Sequence, residues 1–72
     1  METLPNRIRK IREEYGLTQT DVAFKMNISS ASYGKMERNA NHSCYETLSK
    51  VALKIGVSLM FLLDTGNENY LE

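Results

Sequence analysis

One stretch of this chain limits its fold more than any other: Gln19 to Arg38, QTDVAFKMNISSASYGKMER. Ala23 is small enough to sit where a second helix crosses closely. Asn27, four positions on, is of a type that tolerates left-handed backbone. Apolar residues follow at Ile28, Tyr33 and Met36. Two short amphipathic helices joined by a tight turn satisfy this pattern, which is that of a helix-turn-helix unit.

The flanking segments complete an all-α reading. A first helix is expected to begin at Pro5, since proline suits the first helical turn. Ile8, Ile11 and Tyr15 form its apolar stripe, with Leu4 just ahead and Gly16 as a left-handed stop. The second helix opens at Thr18, which pairs with Asp21 as a capping box, while Leu17 staples onto Val22. Val22, Ala23 and Met26 face inward. Ser29 caps the third helix and Ile28 staples onto Tyr33. Tyr33 and Met36 line its inner side, with Glu37 a further candidate. Gly34 is a defect costing about 1 kcal/mol against Ala in a helix interior, either a tolerated weakness or a place of close approach.

Asn39 to Ser43 reads as a polar loop, and Ser43 with Glu46 as another capping box. Leu48, Val51, Ala52 and Ile55 give a fourth helix its stripe, ended by Gly56. Ser58 caps a short fifth helix, Leu59 to Leu63, with Gly66 as its end. The expectation is one compact five-helix domain over residues 1–66 and a short tail over 67–72.

Composition narrows the function. An apolar share of 42% suffices for a packed core. Cys44 is the only cysteine, which excludes an internal disulfide; with no leader segment it points to a reducing cytoplasm. No apolar run approaches the ~20 residues that span a membrane. His42 and Cys44 are two apart but cannot close a four-ligand zinc site alone. The single histidine lacks the partners of a nucleophilic triad, and Glu13 and Glu14 point apart on their helix. The four methionines fit core filling. No catalytic residue, metal, cofactor or small-molecule ligand is therefore expected. Net charge is zero, but residues 1–38 hold seven of the nine basic residues against five of the nine acidic ones. That bias suits a DNA-facing side if those side chains converge.

The segment GLTQTDVAFKMNISSASYGKMERN, followed by LSKVALKIGVSLMFLL, resembles the phage repressor and Cro-like helix-turn-helix family. These are five-helix bacterial regulators of the xenobiotic-response-element type. The resemblance runs from about Arg7 to Leu63. Its most telling pieces are Gly16-Leu17-Thr18-Gln19, the Ile28-Ser29 turn, Lys35-Met36-Glu37 and Ile55-Gly56-Val57. Three positions depart from the family pattern. Asn27 replaces the usual turn glycine, and Tyr33 replaces a core Ile or Val. Asn39 stands where glycine often follows the third helix, without the proline common in the next loop. A buried tyrosine needs an outlet for its hydroxyl.

The resemblance implies lambda-repressor-like DNA binding and places a phosphate contact at Gln19, where helix N–H groups assist. Base readers are expected on the outward side of the third helix, near its start, at Ser30, Ala31, Gly34 and Lys35. Lys35 suits guanine O6 and N7, and Ala31 a thymine methyl. So few long side chains imply close backbone approach or readout of DNA shape. Arg12, Ser32, Arg38, Asn39, Asn41 and His42 are candidate phosphate contacts, with a solvated surface role the alternative for each. Arg9 and Lys10 read as solvated.

The run Leu59 to Leu63 exceeds what one face of a short helix buries. Met60, Phe61 and Leu63 are therefore expected to meet a second copy. The resulting expectation is a homodimer on double-stranded DNA, repressing transcription from a near-palindromic operator. The alternative is a protein-interaction module of the same fold, such as an antitoxin or partner-binding regulator.

Overall fold

The computed structural model describes residues 3–64. Five α-helices run in order: α1 over Leu4–Glu14, α2 over Gln19–Lys25, α3 over Ser30–Arg38, α4 over Tyr45–Ile55 and α5 over Leu59–Leu63. A single 3-10 turn, Ala40–His42, lies between α3 and α4. No strand occurs among the described residues, so the expected all-α, five-helix class is what the chain forms. None of these helices is long and apolar enough to cross a membrane.

Three of the four junctions between helices share one local design. Gly16, Asn27 and Gly56 adopt left-handed backbone, with φ of 72°, 60° and 104°. Each is followed by an apolar residue, Leu17, Ile28 or Val57. The N–H of that residue donates back across the helix end, to Arg12 O, Ala23 O and Ala52 O, each at 3.0 Å. This is the Schellman closure, which satisfies carbonyls that the helix leaves open. Thr18, Ser29 or Ser58 comes next and caps the following helix, accepting from the N–H of Asp21, Ser32 or Phe61. Only the Thr18 cap is reciprocal: Thr18 N–H donates to Asp21 Oδ2 at 2.8 Å. That backbone hydrogen bond is the main cause holding the Asp21 carboxyl below its ordinary range.

The junction from α3 to α4 differs. Its sequence suggests a polar loop, but the 3-10 turn drops Ala40 into the core. The expected Ser43–Glu46 capping box is absent. Cys44 occupies the cap position of α4 and makes no side-chain cap bond. Two further expectations are corrected in α1. The helix starts one residue earlier, because Thr3 caps it and Pro5 takes the second position. Tyr15, placed on the apolar stripe by spacing, caps the end of the helix instead and is 54% exposed. Gly66 and residues 67–72 lie outside the described residues.

The core joins Ile8 and Ile11 of α1 to Val22 and Ala23 of α2, with Tyr33, Val51, Ile55 and Leu62 from the later helices. α2 packs on α3 and α4, while α1 contacts α3 and α5. In α5, Leu62 is fully buried and Leu59 and Leu63 pack against the core, so Leu63 is covered in part by its own chain. Met60 points outward at 76% exposure. Phe61 is half exposed, and the Arg7 guanidinium sits 4.7 Å from its ring centre while donating to its carbonyl at 2.9 Å.

Candidate nucleic-acid interface

The α2–α3 pair is organised around one buried carboxylate. Glu37 sits on the inner side of α3 and is only 5% exposed. A lone buried carboxylate would be costly, yet this one accepts four hydrogen bonds. Arg12 donates from Nε to Oε2 at 2.9 Å and from a terminal nitrogen to Oε1 at 3.2 Å. Tyr33 donates its hydroxyl to Oε2 at 2.8 Å, and Gln19 its Nε2–H to Oε1 at 3.2 Å. Burial opposes the charge, but the hydrogen bonds from Arg12, Tyr33 and Gln19 outweigh it and hold the carboxyl below its usual range. Burial, reinforced by the Glu37 carboxylate, pushes the Tyr33 phenol well up. The hydroxyl outlet that a tyrosine at position 33 requires is therefore Glu37.

This network removes Arg12 from the phosphate contacts. Its side chain is buried, its fork is closed on Glu37, and its remaining terminal nitrogen donates to Leu17 O at 2.9 Å. The charge and spacing that nominated Arg12 were those of an internal ion pair.

Gly34 is likewise not an outward base reader. It is buried at the α2–α3 crossing, with the Gln19 carboxamide against it. The exposed stripe of α3 runs instead through Ala31, Lys35 and Arg38, positions four and three apart on one face. Ser30 is exposed at the edge of that stripe, where its Oγ donates to Thr20 Oγ1 at 3.0 Å. Ser32 is also exposed; its N–H donates to the Ser29 cap. Asn39 ends α3 and turns its amide back onto Lys35 O at 3.0 Å. Asn41 and His42 are exposed on the 3-10 turn.

Gln19, Glu37 and Arg38 line an open cleft of about 240 Å³ together with Pro5, Asn6 and Arg9 of α1. Arg9, read from the sequence as merely solvated, thus borders the same space as Gln19 and Arg38. Thr20 was missed, and Glu37, a candidate for the inner side of the third helix, had been given no partner. Thr20 holds the start of α3 through Ser30. Glu37 ties α1, α2 and α3 together. Its signal was legible: a carboxylate one turn after Tyr33, on an inward face, demands a cationic partner.

Among the described residues, no group of three or more His, Cys, Asp or Glu side chains is placed to hold a metal ion. His42 and Cys44 remain a pair without further ligands.

No curated protein and no solved structure matches this chain. The helix-turn-helix family model matches residues 8–62, well over half of the chain, taking in all of α2, α3 and α4 and most of α1 and α5. With its left-handed turn at Asn27 joining α2 to α3, the chain belongs to the helix-turn-helix family of Cro and phage-repressor-like regulators, a DNA-binding family.

Proposed function

We propose that this chain is a sequence-specific transcriptional repressor that binds a near-palindromic operator as a homodimer. One observation carries the reading. α3 exposes Ala31, Lys35 and Arg38 along one face, and the last of these shares a cleft with Gln19 at the start of α2. A recognition helix lowered into the major groove would set Lys35 against base edges, with Ser30 and Ala31 near its entering end. Gln19 and Arg38 would flank it on the phosphates, with Ser32, Asn39 and Asn41 further out. Repression is the simplest result of such binding, because a protein seated in the groove excludes others from the site.

A chain of zero net charge reading one short half-site gains little from long-range attraction, so a second copy is needed for useful affinity. Met60 and Phe61 are the apolar side chains of α5 left open to receive it. A two-fold contact there would set the recognition helices about 34 Å apart, one turn of DNA.

The test is binding to random and selected duplexes across a salt series, with sedimentation of the free protein. A steep fall in affinity with salt, a protected palindrome and a dimer at tens of micromolar fit the proposal. Protection of one half-site by a monomer rejects the dimer.

A second reading has one observation in its favour. Phe24 is 84% exposed on α2, and Tyr45 and Leu53 are exposed on α4. These side chains suit a protein partner, as in antitoxins, better than they suit DNA. Capture of a partner by a chain that shows no salt-dependent duplex binding would favour it.

A further inference from the structure

Gly34 has ordinary helical backbone, so no turn geometry requires a glycine there, and helix propensity disfavours one. Its missing side chain leaves a gap that two other residues fill. A Cβ on Gly34 would lie 3.3 Å from Gln19 Oε1 and 3.4 Å from a terminal nitrogen of Arg38. The tips of two side chains from different helices therefore converge on one point.

The orientation of Gln19 is fixed as well. An ionised carboxylate can only accept, so the Gln19 amino end must face Glu37 and its Oε1 must face Gly34. Arg12 and Tyr33 hold that carboxylate in place. One Nε2–H is engaged by Glu37, an amide nitrogen carries two, and Gln19 lines an open cleft. Arg38 adds guanidinium donors beside it, at the same cleft. A group with acceptor oxygens and a negative charge matches this pair, and a phosphodiester is such a group.

We propose that Gly34 and Glu37 are positioning residues that hold Gln19 and Arg38 together as a two-donor clamp on one backbone phosphate of DNA. The proposal rests on the DNA-binding reading above and adds a reason for the glycine.

Gly34→Ala tests it. Alanine favours the helix, and the atom it meets is the end of a flexible side chain, so the domain should melt at or above the wild-type temperature. Affinity for random-sequence duplex should nevertheless fall about five- to tenfold, alike for all sequences. The dependence of log affinity on log salt should flatten by about one. The double variant Gly34→Ala, Gln19→Ala should lose less than the sum of the two single losses, since both substitutions disturb the Gln19 contact. Gln19 is the only glutamine, so ¹⁵N-glutamine labelling gives one side-chain amide pair. Saturating duplex should shift that pair markedly further in the wild type than in Gly34→Ala. Undiminished affinity of Gly34→Ala, or additive losses in the double variant, overturns the clamp. A lower melting temperature with proportionate loss of binding reports a structural role and also overturns it. A wild type without salt-dependent duplex binding rejects the DNA reading itself, and the clamp with it.

Discussion

Tyr33 and Glu37 stand one turn apart on α3, and the phenol of the first donates to the carboxylate of the second at 2.8 Å. Tyrosine at the family's aliphatic core position thus turns a hydrophobic contact into part of a polar network. Tyr33→Phe keeps the ring and removes the donor. It should cost about 1.5–3 kcal/mol, the range for a hydrogen bond to a charged group, measured by urea denaturation at neutral pH.

Arg12 should matter to folding before it matters to binding. Arg12→Ala leaves Glu37 buried without its cation, a loss of about 3–5 kcal/mol. Arg12→Lys should recover only part of it, because an ammonium cannot make the two-bond fork. A variant that melts as the wild type does but binds DNA weakly would return Arg12 to the phosphate contacts.

The same network sets the acid limit. The folded-state carboxyl of Glu37 lies below its unfolded value, so its contribution is complete above the unfolded pKa, about 4.3. It disappears as pH falls through the folded pKa. Asp21 is shifted in the same direction. Tyr33→Phe withdraws one donor from Glu37, so the acid unfolding midpoint should move to higher pH. Circular dichroism across an acid titration at fixed temperature reads this directly, and an unmoved midpoint would contradict the coupling.

Lys35 is the long donor at the centre of the exposed stripe of α3. Lys35→Ala should cost about 1–3 kcal/mol on the preferred site and relax discrimination at one base pair. A panel of single-base operator variants checks this; unchanged discrimination would assign Lys35 to the backbone.

For the dimer, the sensitive position is Met60, since Leu63 already packs against its own core. Met60→Asp should give helical monomers that keep salt-dependent non-specific binding and lose the operator. Sedimentation together with DNA protection distinguishes this from simple unfolding.

The fold was legible in the sequence mainly where a signal was local. Left-handed stops at Gly16, Asn27 and Gly56, and caps at Thr18, Ser29 and Ser58, lie within a few residues of what they terminate or start. Two local signals misled, the Ser43–Glu46 spacing and the start of α1 at Pro5, where Cys44 and Thr3 hold the cap positions instead. The errors at the candidate site arose where the deciding partner was distant. Arg12 and Glu37 are 25 positions apart, and nothing near Arg12 says that it is buried. Gly34 faces inward because α2 crosses it, which helical spacing alone does not reveal. Ala40 reaches the core through a 3-10 turn whose neighbours are all polar. Arg9 joins the candidate site because α1, the start of α2 and the end of α3 border one cleft, which no sequence spacing reveals.

The thrice-used corner has a kinetic consequence. Each reversal at Gly16, Asn27 and Gly56 closes through hydrogen bonds spanning five residues or fewer. No distant segment must arrive before the chain can turn, so little loop entropy stands in the way of the first native contacts. Helical domains dominated by such local closures fold in microseconds to milliseconds. Of the three corners, only the one between α2 and α3 carries a side chain on its left-handed residue. Asn27→Gly would relieve that residue of its steric penalty, so the corner that sets the angle between α2 and α3 is the one of the three formed against a local backbone preference.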